Sequence, residues 1–315
     1  MFSKTQILPT LKNQDFQPDC SSDKEYNQQR SCTCLKDIEK LSRERLLRGL
    51  NNHEFKPYYQ PQWNVRERYI DRAEVLVRWH YDTNVTLVPA FFLKKISDMS
   101  LMSTLGYDLF ASVCKDLNTI SVNNLSIKKI GINFSYNELV QPQFTNKLQA
   151  ILNRYQIKAS VFIIEITESN LFSNLPKLER VIQKLRILGF SFSLDDFCTG
   201  FSCFNHLNKL SVDALKLDRH FVDKIRPGNR FSRVCKGLVK ISHNLGLEVT
   251  AEGVEKPQQE IVLEELGCNY LQGFLYGKAV PFAQLSQCLR SNISNVYKFP
   301  CVNRTIIKHQ ASCAY

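Results

Sequence analysis

Short runs rich in β-branched and aromatic residues recur along the chain, separated by longer stretches whose apolar positions repeat at helical spacing. The runs are KPYYQP at 56–61, AEVLVRW at 73–79, KKIGINFS at 128–135, VFIIEIT at 161–167, FSFSLDD at 190–196, ALKLD at 214–218, LEVTAEG at 247–253 and YLQGF at 270–274. From the second onward each leads into a wholly or partly helix-like stretch, the pattern of repeated βα units. The economical solution is α/β, a TIM-like (β/α)8 barrel. Only the short polar stretch Asn64 to Arg72 separates the first two runs, and a parallel crossover needs a dozen or more residues. Strand one is therefore expected antiparallel to strand two. Ahead of it, Asp37 to Asn51 is expected to form a helix with Ile38, Leu41, Leu46, Leu47 and Leu50 on its apolar side. The organisation expected is a polar, flexible extension at 1–36, the barrel at 37–293, and a short tail at 294–315.

Polar residues gather at or near the C-terminal ends of these runs: Glu74, Asn133, Glu165, Asp195 with Asp196, Lys216 with Asp218, Glu252 and Gln272. In a closed parallel barrel those ends meet at one mouth. Carboxylates brought that close repel one another, and divalent cations would neutralise them. Oxygen ligands with one amide favour Mg²⁺ or Mn²⁺ over zinc, and the six histidines are scattered without metal-ligand spacing. Taken singly, each residue also has a plain structural reading. Glu74 could pair with Arg78 four residues on, Asp195-Asp196 could mark a turn, Lys216 could be an exposed lysine bridged to Asp218, and Asn133 and Gln272 could satisfy backbone groups. The case rests on the constellation.

The motifs that surround these residues carry a resemblance. Glu74-Val75-Leu76-Val77-Arg78-Trp79 resembles the signature of the EAL-domain phosphodiesterases, which cleave the bacterial second messenger cyclic di-GMP. INFS around Asn133, EITES at Glu165 to Ser169, DDFCTGFS at Asp195 to Ser202, KLDRHFV at Lys216 to Val222, AEGVE at Ala251 to Glu255 and LQGFLYG at Leu271 to Gly277 follow in family order. The resemblance spans roughly residues 40 to 290. It implies a cytoplasmic hydrolase that opens cyclic di-GMP to linear pGpG with two divalent cations, Mg²⁺ or Mn²⁺, and that works as a homodimer. Matched position for position, Glu74, Asn133, Glu165 and Asp195 hold the first metal, and Asp195 bridges to a second held by Asp196. Two ions roughly 3.5–4 Å apart clamp a water and the scissile phosphate in such sites. Lys216 then orients or deprotonates the water, Asp218 orders the second site and Lys216, Glu252 serves the first metal or its water, and Gln272 hydrogen-bonds that water. Gln60, Leu76, Arg78 and Glu255 are implied in substrate binding, with the planar fork of Arg78 suited to phosphate. Glu168 is implied in tethering the loop Asp196 to Phe201. Two positions depart from the family pattern: Val75 where alanine is usual, and Cys198 where glycine is usual. A cysteine forced to positive φ would cost about 1 kcal/mol or more and misplace Asp196. That departure keeps a second expectation in view, a catalytically weak or silent module that binds cyclic di-GMP or a protein partner.

The chain of 315 residues accommodates one barrel of about 250 residues with extensions. Its net charge of +11 could steer an anionic dinucleotide. The basic residues are spread rather than clustered and no nucleic-acid module accompanies them, which argues against a nucleic-acid partner. Eleven cysteines at irregular spacing imply neither a disulfide framework nor a zinc site. With no signal peptide and no apolar run near the ~18 residues that span a bilayer, the expected setting is the cytoplasm, without a membrane span.

Overall fold

Hydrogen bonds close the strands into a ring. The computed structural model describes residues 41–83, 85–122, 127–167, 174–197 and 210–293, with backbone alone at 120–122, 196–197 and 291–293. The strands are β1 (Phe55–Asn64), β2 (Tyr69–Asp82), β3 (Val85–Leu87), β4 (Lys129–Asn133), β5 (Phe162–Thr167), β6 (Ser191–Phe197), β7 (Ala214–Leu217), β8 (Glu248–Ala251) and β9 (Tyr270–Gln272). From β2 the ring runs through β4, β5, β6, β7, β8 and β9 to β1, and β1 returns to β2. All neighbours from β2 to β9 around the ring are parallel. β1 is antiparallel to both β2 and β9, as the short connection requires. That connection is tighter than the sequence suggested: β1 extends to Asn64 and β2 begins at Tyr69, with Arg68 in the left-handed region at φ 60°. The short β3 pairs antiparallel to the upper part of β2, outside the ring, and was not foreseen among the eight runs.

Strands of such a barrel are covered by helices outside and by one another inside, so they are apolar on both faces. β5 is buried from Phe162 through Ile166, and all of β7, Ala-Leu-Lys-Leu, is buried, its lysine included. The connecting helices start at side-chain caps: Asn174 Oδ1 accepts from Lys177 N, Asp218 Oδ1 from His220 N and Asn229 Oδ1 from Ser232 N. Phe110, reaching from the helix Met102–Val122, packs on Phe162 with ring centroids 4.7 Å apart, and Phe55 stacks on Trp79 at the same distance. Each such buried ring contributes about 1.5–3 kcal/mol of burial free energy.

The leading helix is shorter than expected, Arg43–Asn51. Ser42 is extended (φ −80°, ψ 159°) and its hydroxyl accepts from Arg45 N at 3.2 Å, so the helix begins there. Apolar periodicity runs across this cap because Leu41, just before it, and Leu46, in the first turn, are both buried, as in a hydrophobic staple. Residues 37–40 lie outside the described part.

Candidate active site at the barrel mouth

Each parallel strand delivers one polar side chain to the upper end of the ring. Register sets their heights: Glu74 stands beside Gly131, Asn133 beside Glu165, and Asp195 beside Thr167. Gly131 matters by what it lacks, since a Cβ there would fall 2.2 Å from Glu165 Oε1. The glycine leaves room for the Glu165 carboxylate between its neighbours.

The side chains converge on Lys216. Its Nζ lies 2.6 Å from Glu252 Oε1, 3.0 Å from Glu165 Oε2, 3.2 Å from Glu74 Oε2 and 3.5 Å from Asp195 Oδ2. At 2% exposure Lys216 is not the surface lysine that its place at a strand end suggested. Nor does it pair with Asp218, which caps the helix Arg219–Lys224 and lies 3.2 Å from His220 Nδ1.

Four amides complete the cluster. Asn133 Nδ2 donates to Glu74 Oε1 at 3.0 Å and Glu165 Oε2 at 3.2 Å. Gln272 Nε2 donates to Glu74 Oε2 at 2.6 Å and Gln60 Oε1 at 3.1 Å. Gln62 Nε2 donates to Gln272 Oε1 at 2.8 Å, fixing which way that amide faces. Asn133 also carries an acceptor oxygen, open to a cation after a half-turn of the amide. Among the described residues no three Asp, Glu, His or Cys side chains already surround one point as a metal cage. The Lys216 ammonium and the amide NH₂ groups hold the space between the carboxylates instead.

The electrostatics of the cluster are lopsided. Four carboxylates face one ammonium. Burial works against the charge of Lys216, yet Glu165, Glu252, Glu74 and Asp195 together hold its pKa well above the ordinary lysine value. Glu165 is pushed well above the usual carboxylate range by burial and then by Glu74, with Lys216 opposing. Burial, joined by Asp195 and Glu74 against Lys216, raises Glu252 to about 8. Glu74 goes the other way: burial would raise it, but Lys216 and the hydrogen bonds from Gln272 and Asn133 lower it. Glu252 Oε1, although close to the ammonium, is buried without a hydrogen bond of good geometry.

A cleft of about 270 Å³ opens onto this cluster, lined by Gln60, Glu74, Leu76, Asp195, Glu252, Glu255 and Gln272, together with Arg219, Gly253, Gly273 and Phe274. Seven residues expected at the site thus line this cleft; Asn133 and Lys216 are bonded to them, and Glu165 to Asn133 and Lys216. Arg78 stands apart from this lining; its Nη1 donates to Val77 O at 3.0 Å and its guanidinium lies 5.8 Å from the Tyr58 ring. Glu74 is turned inward and takes no bond from it. Asp196 lies on β6 with its side chain outside the described residues, as are Glu168 and Cys198. Sequence reasoning missed Gln62 and Arg219. Gln62 was detectable as the next inward-facing residue after Gln60 in a strand of period two, and Arg219 as the cation following Asp218 at a strand end.

Most of the chain is similar to known proteins. The family model described as EAL domain matches residues 43–279. The chain is 29% identical over 248 residues to the cyclic di-GMP phosphodiesterase NbdA of Pseudomonas aeruginosa, covering 79% of this chain and 32% of that protein. It is 30% identical over 236 residues to the cyclic di-GMP phosphodiesterase RocR of the same organism, covering 75% of this chain and 60% of that one. Among solved structures, the PaMucR phosphodiesterase in complex with c-di-GMP aligns with a TM-score of 0.72 at 27% identity, over 77% of this chain and 98% of its own. The EAL enzyme Bd1971, in its cAMP- and cyclic-di-GMP-bound form, aligns with a TM-score of 0.73 at 26% identity, over 85% of this chain and 72% of its own. The chain spans between 32% and 60% of the length of these two curated relatives.

Proposed function

We propose that this chain, which belongs to the EAL-domain family, hydrolyses cyclic di-GMP to linear pGpG with divalent cations held at the barrel mouth. The observation that carries the reading is the cluster of Glu74, Glu165, Asp195 and Glu252 around a single buried lysine, beneath an open cleft.

The residues present fit such cations. Four carboxylates against one ammonium leave a surplus of negative charge, which burial drives toward proton uptake at Glu165 and Glu252. Divalent ions would relieve the same surplus, and an all-oxygen donor set suits Mg²⁺ or Mn²⁺. Glu74, Asn133, Glu165 and Asp195 would hold one ion, and Asp195 with Asp196 a second. When bound, such ions supply charge neutralisation at the phosphate and activation of water.

The chain's own residues do the rest. Lys216, saturated by carboxylate oxygens, is assigned as an electrostatic anchor that keeps positive charge at the floor of the cleft. Gln272, oriented by Gln62, fixes Glu74 Oε2 and offers its amide at the cleft wall. Gln60, Leu76 and Glu255 line the cleft in which a dinucleotide would lie; Arg78, further along β2 and outside that lining, would meet an outlying phosphate. Asp218 acts through the helix it caps, directly after Lys216 and Leu217.

The test is conversion of cyclic di-GMP to pGpG by purified protein with Mg²⁺ or Mn²⁺, beside Glu74→Ala. Product from the parent and none from the variant is the expected result; turnover that survives Glu74→Ala would sink the assignment of the site. Cys198 favours the second reading, a binding module without turnover. Ligand binding without product, recovered as turnover in Cys198→Gly, would establish it.

Self-association has a surface to use. On the helix Arg230–Asn244, Phe231, Val234 and Ile241 are exposed along one side, continued by Leu245 at its end. A homodimer would cover this stripe, and Ile241→Glu should shift the sedimentation of the protein toward monomer. Among the described residues no helix is long and apolar enough to cross a membrane.

A further inference from the structure

The rim of the cleft carries a linkage that the carboxylate cluster does not use. Arg219 opens the helix after β7. Its Nε donates to Asp223 Oδ2 at 3.2 Å, and its Nη2 pairs with Glu255 Oε1 at 2.9 Å. The aliphatic stem of Arg219 lies across Gly253, in the loop after β8. A Cβ on Gly253 would fall 2.4 Å from Arg219 Cγ, and the backbone there has φ +71°, so both space and conformation call for glycine. A second tie runs between the same two segments. Glu255 N donates to Gln259 Oε1 at 2.9 Å, and the buried Gln259 Nε2 donates to Val222 O at 3.2 Å. Glu255 is thus held through its backbone by Gln259 and through its carboxylate by Arg219, and both Arg219 and Glu255 line the cleft.

We propose that Arg219 is a positioning residue that holds the Glu255 carboxylate toward the Watson–Crick edge of a guanine base in the cleft. The inference rests on the reading of the chain as a cyclic di-GMP hydrolase. The N1–H and 2-amino groups of guanine are neighbouring donors, and an ionised carboxylate only accepts. Adenine offers an acceptor at N1 and has no 2-amino group, so the same carboxylate rejects it. A glutamate on a loop loses conformational freedom when it binds a base, and one already pinned loses less. The Arg219 fork is itself engaged by two carboxylates, which directs its action through Glu255 rather than onto the ligand.

The experiment is a double-mutant cycle of Arg219→Ala and Glu255→Gln in the full chain. It reads kcat and KM for cyclic di-GMP with Mg²⁺, and calorimetric affinity for cyclic di-GMP and cyclic di-AMP in metal-free buffer. The pair is partly exposed, so Arg219→Ala should raise KM about fivefold with kcat changed less than about twofold, and should narrow the guanine-over-adenine preference to a similar degree. Arg219→Lys, which can still reach Glu255, should recover part of the loss, and the double variant should resemble Glu255→Gln alone. Additive losses, or an unchanged preference in Arg219→Ala, would overturn the proposal while leaving the hydrolase reading intact. A parent that neither binds nor turns over cyclic di-GMP would remove both together.

Discussion

Arg72 and Lys216 are both buried cations inside the same barrel, at opposite ends. Arg72, at the floor, meets one carboxylate, Glu248 Oε2 at 2.8 Å, and lies over the Tyr270 ring at 3.7 Å. Around it, Asp71 Oδ2 takes Lys128 Nζ at 2.8 Å and Asn64 Nδ2 at 2.9 Å, while Lys129 Nζ donates to Ser160 O and Ser191 Oγ, both at 2.7 Å. Charge at the floor is matched nearly one to one. Lys216, at the mouth, faces four carboxylates. The floor is balanced as it stands, whereas the described residues of the mouth leave a surplus of negative charge for protons or cations to relieve. A barrel that uses its C-terminal face for chemistry and its N-terminal face for stability predicts this asymmetry.

Exchanging one charge at each end should therefore separate activity from stability. Glu165→Gln removes one carboxylate from the mouth, a proposed metal ligand, and relieves crowding. Turnover of cyclic di-GMP should fall about a thousandfold or more, while the metal-free melting temperature holds or rises, because a buried carboxylate that burial and Glu74 penalise is gone. A metal-free protein clearly destabilised by this change would contradict the picture of a crowded mouth.

Lys216→Met tests the same crowding from the other side. Among the described residues it leaves the carboxylates with no buried cation, and removing one partner of a buried ion pair costs about 3–5 kcal/mol. The metal-free variant should melt well below the parent, and Mg²⁺ should raise its melting temperature more than it raises the parent's. Thermal unfolding with and without Mg²⁺ decides this; equal shifts in the two proteins would mean that Lys216 is not a counter-charge to the cation site.

The floor should answer in the opposite sense. Arg72→Met loses an ion pair and a ring contact, but Glu248 is 45% exposed and can turn to water, so the cost should be about 2 kcal/mol. Denaturant midpoints should report that loss while kcat stays within about threefold of the parent. Loss of turnover in a variant that still folds would show that the two ends are coupled.

The difference between the ends also explains what could be read from the chain. Strand positions, the antiparallel first strand and the inventory of polar strand ends follow from local pattern. Glu74, Asp195, Glu252 and Gln272 meet because each occupies the same place in its own βα unit. The hub could not be read in this way. That Lys216 is buried and collects partners from β2, β5, β6 and the end of β8 is a property of ring closure, not of the ALKLD segment, where a lysine near a strand end looks solvent-facing. Gly131 was likewise invisible as a cradle for Glu165, because its register partner on β5 is Ile163 and the Glu165 carboxylate reaches over it from two residues further along that strand. The helix start was misplaced because Leu41 continues the apolar spacing across the Ser42 cap. Arg219 escaped notice because its partner Glu255 lies on another loop, brought near by the pairing of β7 with β8.

The smallest effect is expected where the two ends meet. Gln62 stands opposite Arg72 in the β1–β2 register, one inward step below the pair Gln60 and Glu74, yet its side chain bonds upward to Gln272. Gln62→Leu keeps the volume and removes the donor that tells the Gln272 amide which way to face. Gln272 could then present oxygen rather than NH₂ to Glu74 Oε2, replacing a 2.6 Å hydrogen bond with a repulsion. Because Gln272 still has Gln60 as a partner, the amide should be misoriented only part of the time. A loss of about threefold to tenfold in kcat follows, with the melting temperature nearly unchanged. Gln62→Glu, which offers only acceptors to Gln272 Oε1, should do worse than leucine despite its closer shape, since it adds a fifth carboxylate below a cluster that already holds four. If leucine and glutamate prove equally mild in steady-state kinetics, Gln272 is oriented from the mouth alone, and the layer between the two ends is packing rather than part of the site.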